Sequence, residues 1–287
     1  MSDAIVSIII VNYNTSALLL DCLQSLLEQQ ALIREVIVVD NNSHDNSVDA
    51  VRRHFPSVQL IALPENIGFG RANNRALASC TGDLLFLLNP DTRLLPGCLA
   101  SILAYMERHP EIGMAGTAVY DAHGALQATA NEEYPGGRYA GAAFSGLPGR
   151  IAWLLGASLV VRRQVMEQVQ GFDPEYFLYG EDVDLGLRIR KAGWTLGTIP
   201  EARLVHLEGQ SERTTAHAVL FEKKLRGELL FYRKHYAPKI IQRIKRIRRI
   251  EAQWRIACLW LAGLFVREDE LRRTKRIKYT VAARLYR

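Results

Sequence analysis

Two adjacent carboxylates, Glu181 and Asp182, followed by Asp184, start a pattern that predicts a helix to about Lys191, and the aromatics Tyr176, Phe177 and Tyr179 precede it. Acids at a helix N-terminus are favoured by the peptide dipoles, and Asp184 can pair with Arg188 one turn on. That accounts for Asp184. Two neighbouring carboxylates beside an aromatic strip are what a general base next to a sugar-stacking surface needs. Four other polar clusters stand elsewhere in the chain. Val11-Asn12-Tyr13-Asn14 and Asp40-Asn41-Asn42-Ser43 each end an apolar run, with Asp45 and Ser47 after the second. Amide and carboxylate groups at two neighbouring strand ends can hydrogen-bond a nucleobase and its ribose. Asn14, Ser43 and Asp45 are explained as well by capping of the helices that follow, whereas Asp40, at the strand tip, is better placed for a ligand.

The third cluster, Glu65 to Asn74 (ENIGFGRANN), is a glycine-containing turn that opens a helix, where Gly68 and Gly70 would let backbone come close to a phosphate. It lacks a third glycine and follows the third strand, which argues against a dinucleotide oxidoreductase. In the fourth, Leu88-Asn89-Pro90-Asp91-Thr92, the Asp91 oxygens could hold a divalent cation against a diphosphate, although strand-end aspartates also occur without metal. His206 ends the last apolar run, in HLEGQS, where a neutral imidazole could ligate a metal, contact phosphate or serve structure alone.

Positioning these groups falls to elements that the apolar pattern makes visible. Continuous β-branched runs at 5–11, 35–40, 58–63, 83–88 and 113–120 suit strands buried on both faces. Helical spacing fills 15–30, 44–55, 70–80 and 96–109, with Thr15 and Ser43 as expected caps. A β-α-β-α-β succession predicts an α/β fold with a mostly parallel sheet covered by helices, and puts ligands at the carboxyl ends of the strands. A Gly- and Pro-rich loop spans 121–149, regular structure resumes at 151–161, and a last core strand is expected over 195–199. Everything after Ser211 reads as basic helix.

The charge follows the same division. The chain has 287 residues, 48% hydrophobic and 23% charged, with a net charge of +6. From Glu212 onward there are 21 Lys+Arg and 7 Asp+Glu, a net of +14, so the first 211 residues carry −8. Cys22, Cys80, Cys98 and Cys258 lack zinc or disulfide spacing and read as buried thiols of a reducing compartment. The apolar run at 256–266 is too short to span a bilayer, so no transmembrane helix is expected. Ile240, Ile244, Ile247, Ile250 and Trp254 recur at three- or four-residue spacing among Lys and Arg. Such a basic amphipathic helix fits in-plane attachment to an anionic membrane surface, with an oligomerisation helix as the alternative and nucleic acid disfavoured.

Taken in order, VSIIIVNYN, VIVVDNNSHDNS, ENIGFGRANN, LLNPD, GFDPEYFLYGEDVDLGLR and PEARLVHLEGQS resemble glycosyltransferase family 2, of GT-A fold, in its bacterial rhamnosyltransferase-like branch. The resemblance covers roughly residues 5 to 211. It implies a GT-A transferase domain over 1–211 and a basic helical tail over 212–287. Tyr13, Asn14 and Asp40 would hold the base and ribose of a nucleotide-sugar, and Gly68, Gly70 and Asn74 would lie along the nucleotide and diphosphate. Asp91 takes the last position of the family's Asp-x-Asp motif and Asn89 the first, a departure that removes one charge. Asp182 matches the catalytic base, with Glu181 beside it, and His206 a position that completes a metal site with Asp91. The implied activity is an inverting transfer dependent on Mg²⁺ or Mn²⁺, with rhamnose from dTDP-rhamnose as the expected sugar. The expected acceptor is a cell-surface glycan or polyprenyl-linked saccharide, reached by a peripheral protein on the cytoplasmic face of the membrane. Two rivals remain: a sugar nucleotidyltransferase, which would carry a glycine-rich loop after the first strand, and a non-catalytic adaptor with a degenerate transferase domain.

Overall fold

The computed structural model describes residues 6–207, 216–263 and 269–287. Ile5, residues 208–211 of the last motif, the expected boundary at 211/212 and the end of the 256–266 run lie outside them. The described residues form two compact units, one drawn from Met1–Tyr134, Gly146–Phe177 and Glu181–Ser211, the other from Pro135–Ser145, Leu178–Gly180 and Glu212–Arg287.

The first unit begins with β1 (Val6–Asn12), α1 (Ser16–Leu27), β2 (Ile33–Asp40), α2 (Ser47–His54), β3 (Gln59–Ala62) and α3 (Phe69–Leu77). It continues with β4 (Leu84–Leu88), β5 (Thr92–Leu94), α4 (Cys98–Arg108), β6 (Ile112–Tyr120), β7 (Ala130–Asn131), β8 (Trp153–Leu154), β9 (Ser158–Arg162), α5 (Arg163–Gln168), α6 (Glu181–Lys191) and β10 (Thr195–His206). Eight strands form one sheet in the order β3-β2-β1-β4-β9-β6-β10-β5. All seven residues of β1 are buried, and its apolar ones divide between two cores: Ile8 and Ile10 pack with Leu19, Leu23 and Phe86, while Ile9 and Val11 pack with Ala72, Leu85 and Leu87. Because side chains alternate across a strand, a strand covered on both faces needs an apolar residue at every position. That is why the run shows no alternation.

Pairing is parallel among β1, β2, β3 and β4 and between β6 and β10. The chain leaves β1 toward β2 and β3 and then returns to β4 on the other side, creating a switch point whose crevice lies at the carboxyl ends of β1 and β4. Two antiparallel pieces depart from the expected pattern: β9 runs between β4 and β6, and β5 pairs with β10. The strand expected over 195–199 extends to His206, with a register shift between Ile199 and Arg203 where Pro200 interrupts the ladder. Cys22, Cys80 and Cys98 are buried, and burial pushes the Cys22 and Cys98 thiols up to about 12, so they are inert; Cys258 is half-buried.

In the second unit, α7 (His217–His235), α8 (Pro238–Gly263) and α9 (Glu270–Leu285) pack with the 135–145 loop. Tyr236 donates its hydroxyl to the Pro135 carbonyl at 2.9 Å, and Phe144 packs on the Tyr236 ring at 5.1 Å. Asp269 caps α9 by accepting from the Arg272 N–H at 2.7 Å. Ile244 is fully buried and Ile240 and Ile247 are half-buried, so much of the isoleucine stripe expected to face a membrane is internal packing. None of the described helices is long and apolar enough to cross a membrane.

Candidate active site

The ends of β1 and β2 are tied into one polar network. Asn12 donates from Nδ2 to Asp40 Oδ1 at 2.8 Å and to Ser43 Oγ at 3.0 Å, and the Ser43 N–H reaches Asp40 Oδ2 at 2.9 Å. Asp40 is 2% exposed, and each of its oxygens accepts a hydrogen bond from the chain itself. Asn14, at a φ of 54°, accepts the His44 N–H at 2.7 Å, so its amide oxygen holds the β2–α2 loop. Capping falls to Asp45, which accepts the Ser16 N–H at 2.9 Å and the Ser47 N–H at 3.0 Å and so serves the starts of both α1 and α2. Neither Thr15 nor Ser43 caps as expected: Thr15 Oγ1 donates to Asn12 at 2.7 Å, and Ser43 joins the two strand ends. Tyr13 is half-buried at the same edge.

The glycine turn approaches protein. A Cβ on Gly68, whose φ is +89°, would lie 2.4 Å from the Phe177 carbonyl oxygen, and one on Gly70 would lie 3.0 Å from Phe172 Cβ. The Phe69 N–H donates to that Phe177 carbonyl at 2.9 Å, and Arg71 Nε donates to the Pro174 carbonyl at 2.6 Å. Asn74 is engaged through both ends of its amide, Nδ2 to the Phe172 carbonyl at 2.7 Å and Oδ1 from the Phe172 N–H at 2.9 Å. The start of α3 therefore clamps the 172–177 segment, which leads into Glu181 and Asp182. The aromatic strip is divided as well. Tyr176 is 1% exposed and cannot stack on a sugar, whereas Phe177 is 52% exposed. Tyr179 belongs to the second unit, where Lys224 lies over its ring at 5.1 Å.

At the opposite side of the crevice, Asp91 and His206 are both buried at 6% exposure, with Asp91 Oδ1 and His206 Nε2 3.2 Å apart. The antiparallel pairing of β5 with β10 sets this contact by bringing His206 opposite Thr92. An imidazole and a carboxylate at this distance can bond each other directly, and as oxygen and nitrogen donors side by side the two could together hold a divalent cation such as Mg²⁺ or Mn²⁺. Among the described residues no third His, Cys, Asp or Glu joins them, so a cation held there would take further ligands from phosphate and water. Asn89 turns the chain before Asp91, its N–H bonded to the Ala157 carbonyl at 3.0 Å.

Gly156, the residue before Ala157, donates its N–H to Asp182 Oδ2 at 3.1 Å, and the Val183 N–H reaches Oδ1 at 2.9 Å. One dipeptide thus links the acidic helix to the Asn-Pro-Asp turn. Burial raises the carboxyls of both Glu181 and Asp182, and the charge of Asp182 raises Glu181 further. The two backbone N–H groups favour ionised Asp182, whereas buried Glu181 Oε2 has no hydrogen-bond partner, so the higher proton affinity of the pair lies at Glu181. Asp184 pairs with Arg188 at 2.6 Å, as its spacing predicts.

Several positioning residues escaped the sequence reading. Asn12 stands in the sequence only as part of a cluster, and Gly156 carries no local signal because its partner is 26 residues away. Arg190, 6% exposed, donates to the Pro148 and Gly149 carbonyls at 2.9 and 2.8 Å and to the Tyr134 hydroxyl at 2.9 Å. It holds the start of the β8 approach against α6; an arginine on an otherwise apolar helix face was the available signal.

The profile described as Glycosyl transferase family 2 matches residues 7–167. An N-acetylglucosaminyl-diphospho-decaprenol L-rhamnosyltransferase of Mycobacterium tuberculosis is 32% identical over 206 residues, 61% of this chain and 67% of that protein. Rhamnosyltransferase WbbL of Escherichia coli is 33% identical over 91 residues, 32% of this chain and 33% of its own. Among solved structures, mannosyltransferase PcManGT from Pyrobaculum calidifontis, in complex with GDP-Man and Mn²⁺, superposes with a TM-score of 0.63 at 19% identity, over 98% of this chain and 86% of that one. The folds agree through the GT-A sheet, the family profile spans more than half of the chain, and the chain therefore belongs to glycosyltransferase family 2, in its bacterial rhamnosyltransferase-like branch.

Proposed function

We propose that the protein transfers rhamnose from dTDP-rhamnose, with inversion, to a polyprenyl-diphosphate-linked saccharide or related cell-surface glycan, as a peripheral protein on the cytoplasmic face of the membrane. The observation that carries the chemistry is the Gly156-Ala157 dipeptide, which holds Asp182 at one end and the Asn89 turn at the other. A base and a leaving-group site held across one dipeptide are suited to an in-line displacement. Asp182 accepts the proton of the acceptor hydroxyl as its oxygen bonds to the anomeric carbon. The bond from that carbon to the diphosphate oxygen breaks, and its electron pair departs with the nucleoside diphosphate. A Mg²⁺ or Mn²⁺ on Asp91 and His206 would supply positive charge against that diphosphate. Glu181, holding its proton, leaves Asp182 as the ionised member of the pair. The β1 and β2 ends face the nucleoside, with Tyr13 and Asn14 at the edge and buried Asp40 bracing them through Asn12 and Ser43. The sugar and the acceptor rest on the mycobacterial relative, whose name specifies an L-rhamnosyltransferase acting on a decaprenol-linked N-acetylglucosaminyl diphosphate.

Transfer from dTDP-rhamnose to a polyprenyl-diphosphate N-acetylglucosamine, measured with Mn²⁺ and with EDTA, tests the reading. Asp182→Asn is expected to lower kcat by about 10²–10⁴-fold while donor binding persists, the range general-base assistance supplies. Turnover that survives this substitution removes Asp182 from the role of base.

A further inference from the structure

The exposed face of α8 changes character along its length. Arg243, Arg246, Ile250, Trp254, Ala257 and Leu261 are all exposed and follow one another at three- or four-residue spacing. At about 100° per residue they fall within an arc of about 80°. The first two are cationic and the last four apolar, with Trp254 67% and Leu261 53% exposed and Trp260, 66% exposed, at the flank. The opposite face, with Ile244 and Ala252 at 0% and 2%, is packed inside the unit. Large apolar side chains on successive turns of one helix are not needed for the fold of this unit, because its packing uses the other side.

Beside the cationic half runs a groove of about 430 Å³ lined by Lys245, Arg246, Arg249, Ile250, Tyr286 and Arg287. Arg248, by contrast, is drawn inward to Glu228 and Glu251. Among the described residues, Arg243, Lys245, Arg246, Arg249 and Arg287 have no acidic partner. Helix α8 carries seven Lys+Arg and one acid. Unpaired cations at one end of a face and tryptophans at the other match the chemistry of a bilayer surface, where phosphates lie outside and the headgroup–acyl boundary accepts indole rings.

We propose that this face of α8 is a membrane-docking surface for anionic phospholipid, with headgroup phosphates in the Lys245–Arg246–Arg249–Arg287 groove and Trp254, Trp260 and Leu261 at the acyl boundary. The proposal sharpens the peripheral attachment in the proposed function. It is read without donor, acceptor or metal, so its failure and the failure of the transfer reading are separate results.

Flotation of the full-length protein with phosphatidylglycerol or phosphatidylcholine vesicles provides the test. The native chain should float with anionic vesicles and leave them as salt rises. Arg243→Gln with Arg246→Gln should weaken that partition about 30-fold, each cation contributing about a factor of five. Trp254→Ala with Trp260→Ala should abolish a blue shift of tryptophan fluorescence on vesicle binding. These side chains are exposed, and an unchanged circular dichroism spectrum would show that the variants fold. Equal partition of native and arginine variants would overturn the proposal. So would a vesicle-independent dimer dispersed by the Trp254 variant, which would assign the face to a second copy of the chain.

Discussion

Glu181 and Asp182 share an environment but differ in their partners. Asp182 receives two backbone N–H groups, and Glu181 Oε2 receives none. Burial, followed by the neighbouring carboxylate, pushes Glu181 from 4.5 up to about 8. The folded protein therefore holds a proton that the unfolded chain releases, and stability falls as pH rises from about 4.5 through about 8. Glu181→Gln removes the proton difference at that site. Thermal melts at pH 5 to 8 should show the native protein losing stability across this range and the Gln variant losing less. Identical slopes would mean that Glu181 is not the proton holder. The adjacency of the two acids was legible in the sequence, because charge at a helix start is a local signal. Their inequality was not, since it depends on Gly156 in another element.

Among the elements, α3 and the 172–177 segment act as one piece. Gly68 and Gly97 both have positive φ, +89° and +80°, but a Cβ on Gly97 meets nothing within 4 Å while one on Gly68 strikes the Phe177 carbonyl. Gly97→Ala should cost only the backbone strain of about 1–2 kcal/mol. Gly68→Ala should cost more in a denaturant titration and should lower kcat, because it pushes away the segment that leads into Asp182. Equal losses for the two would refute the clamp. The parallel strands β1 and β4 could be read from the chain because burial on both faces leaves unbroken apolar runs, whereas β3, at the sheet edge, is only half-buried. Strand β5, three residues long, and the antiparallel insertion of β9 follow from pairing with distant partners and leave no periodic trace. The same distance applies to Asn74: the resemblance puts it along the nucleotide and diphosphate, and the pairing of both ends of its amide with Phe172, 98 residues away, leaves no local trace.

On the scale of the molecule, the step in charge at Glu212 was plain from composition. The membership of Pro135–Ser145 and Leu178–Gly180 in the second unit was not, because apolar and glycine contacts decide it. Gly136, at a φ of +71°, has room for no side chain: a Cβ would lie 2.8 Å from Ile244 and 3.0 Å from Tyr232. Calorimetry of Gly136→Val should show destabilisation of the second unit, with donor-induced stabilisation of the first retained. Loss of the donor effect would mean that the units do not unfold separately.

The Gly156-Ala157 dipeptide has one more consequence. The Gly156 N–H and the Ala157 carbonyl are main-chain groups, so the tie between Asp182 and the Asn89 turn does not depend on which side chain stands at position 157. Substitutions among the side chains around this tie can therefore alter what the crevice admits while the main-chain link itself stays unbroken.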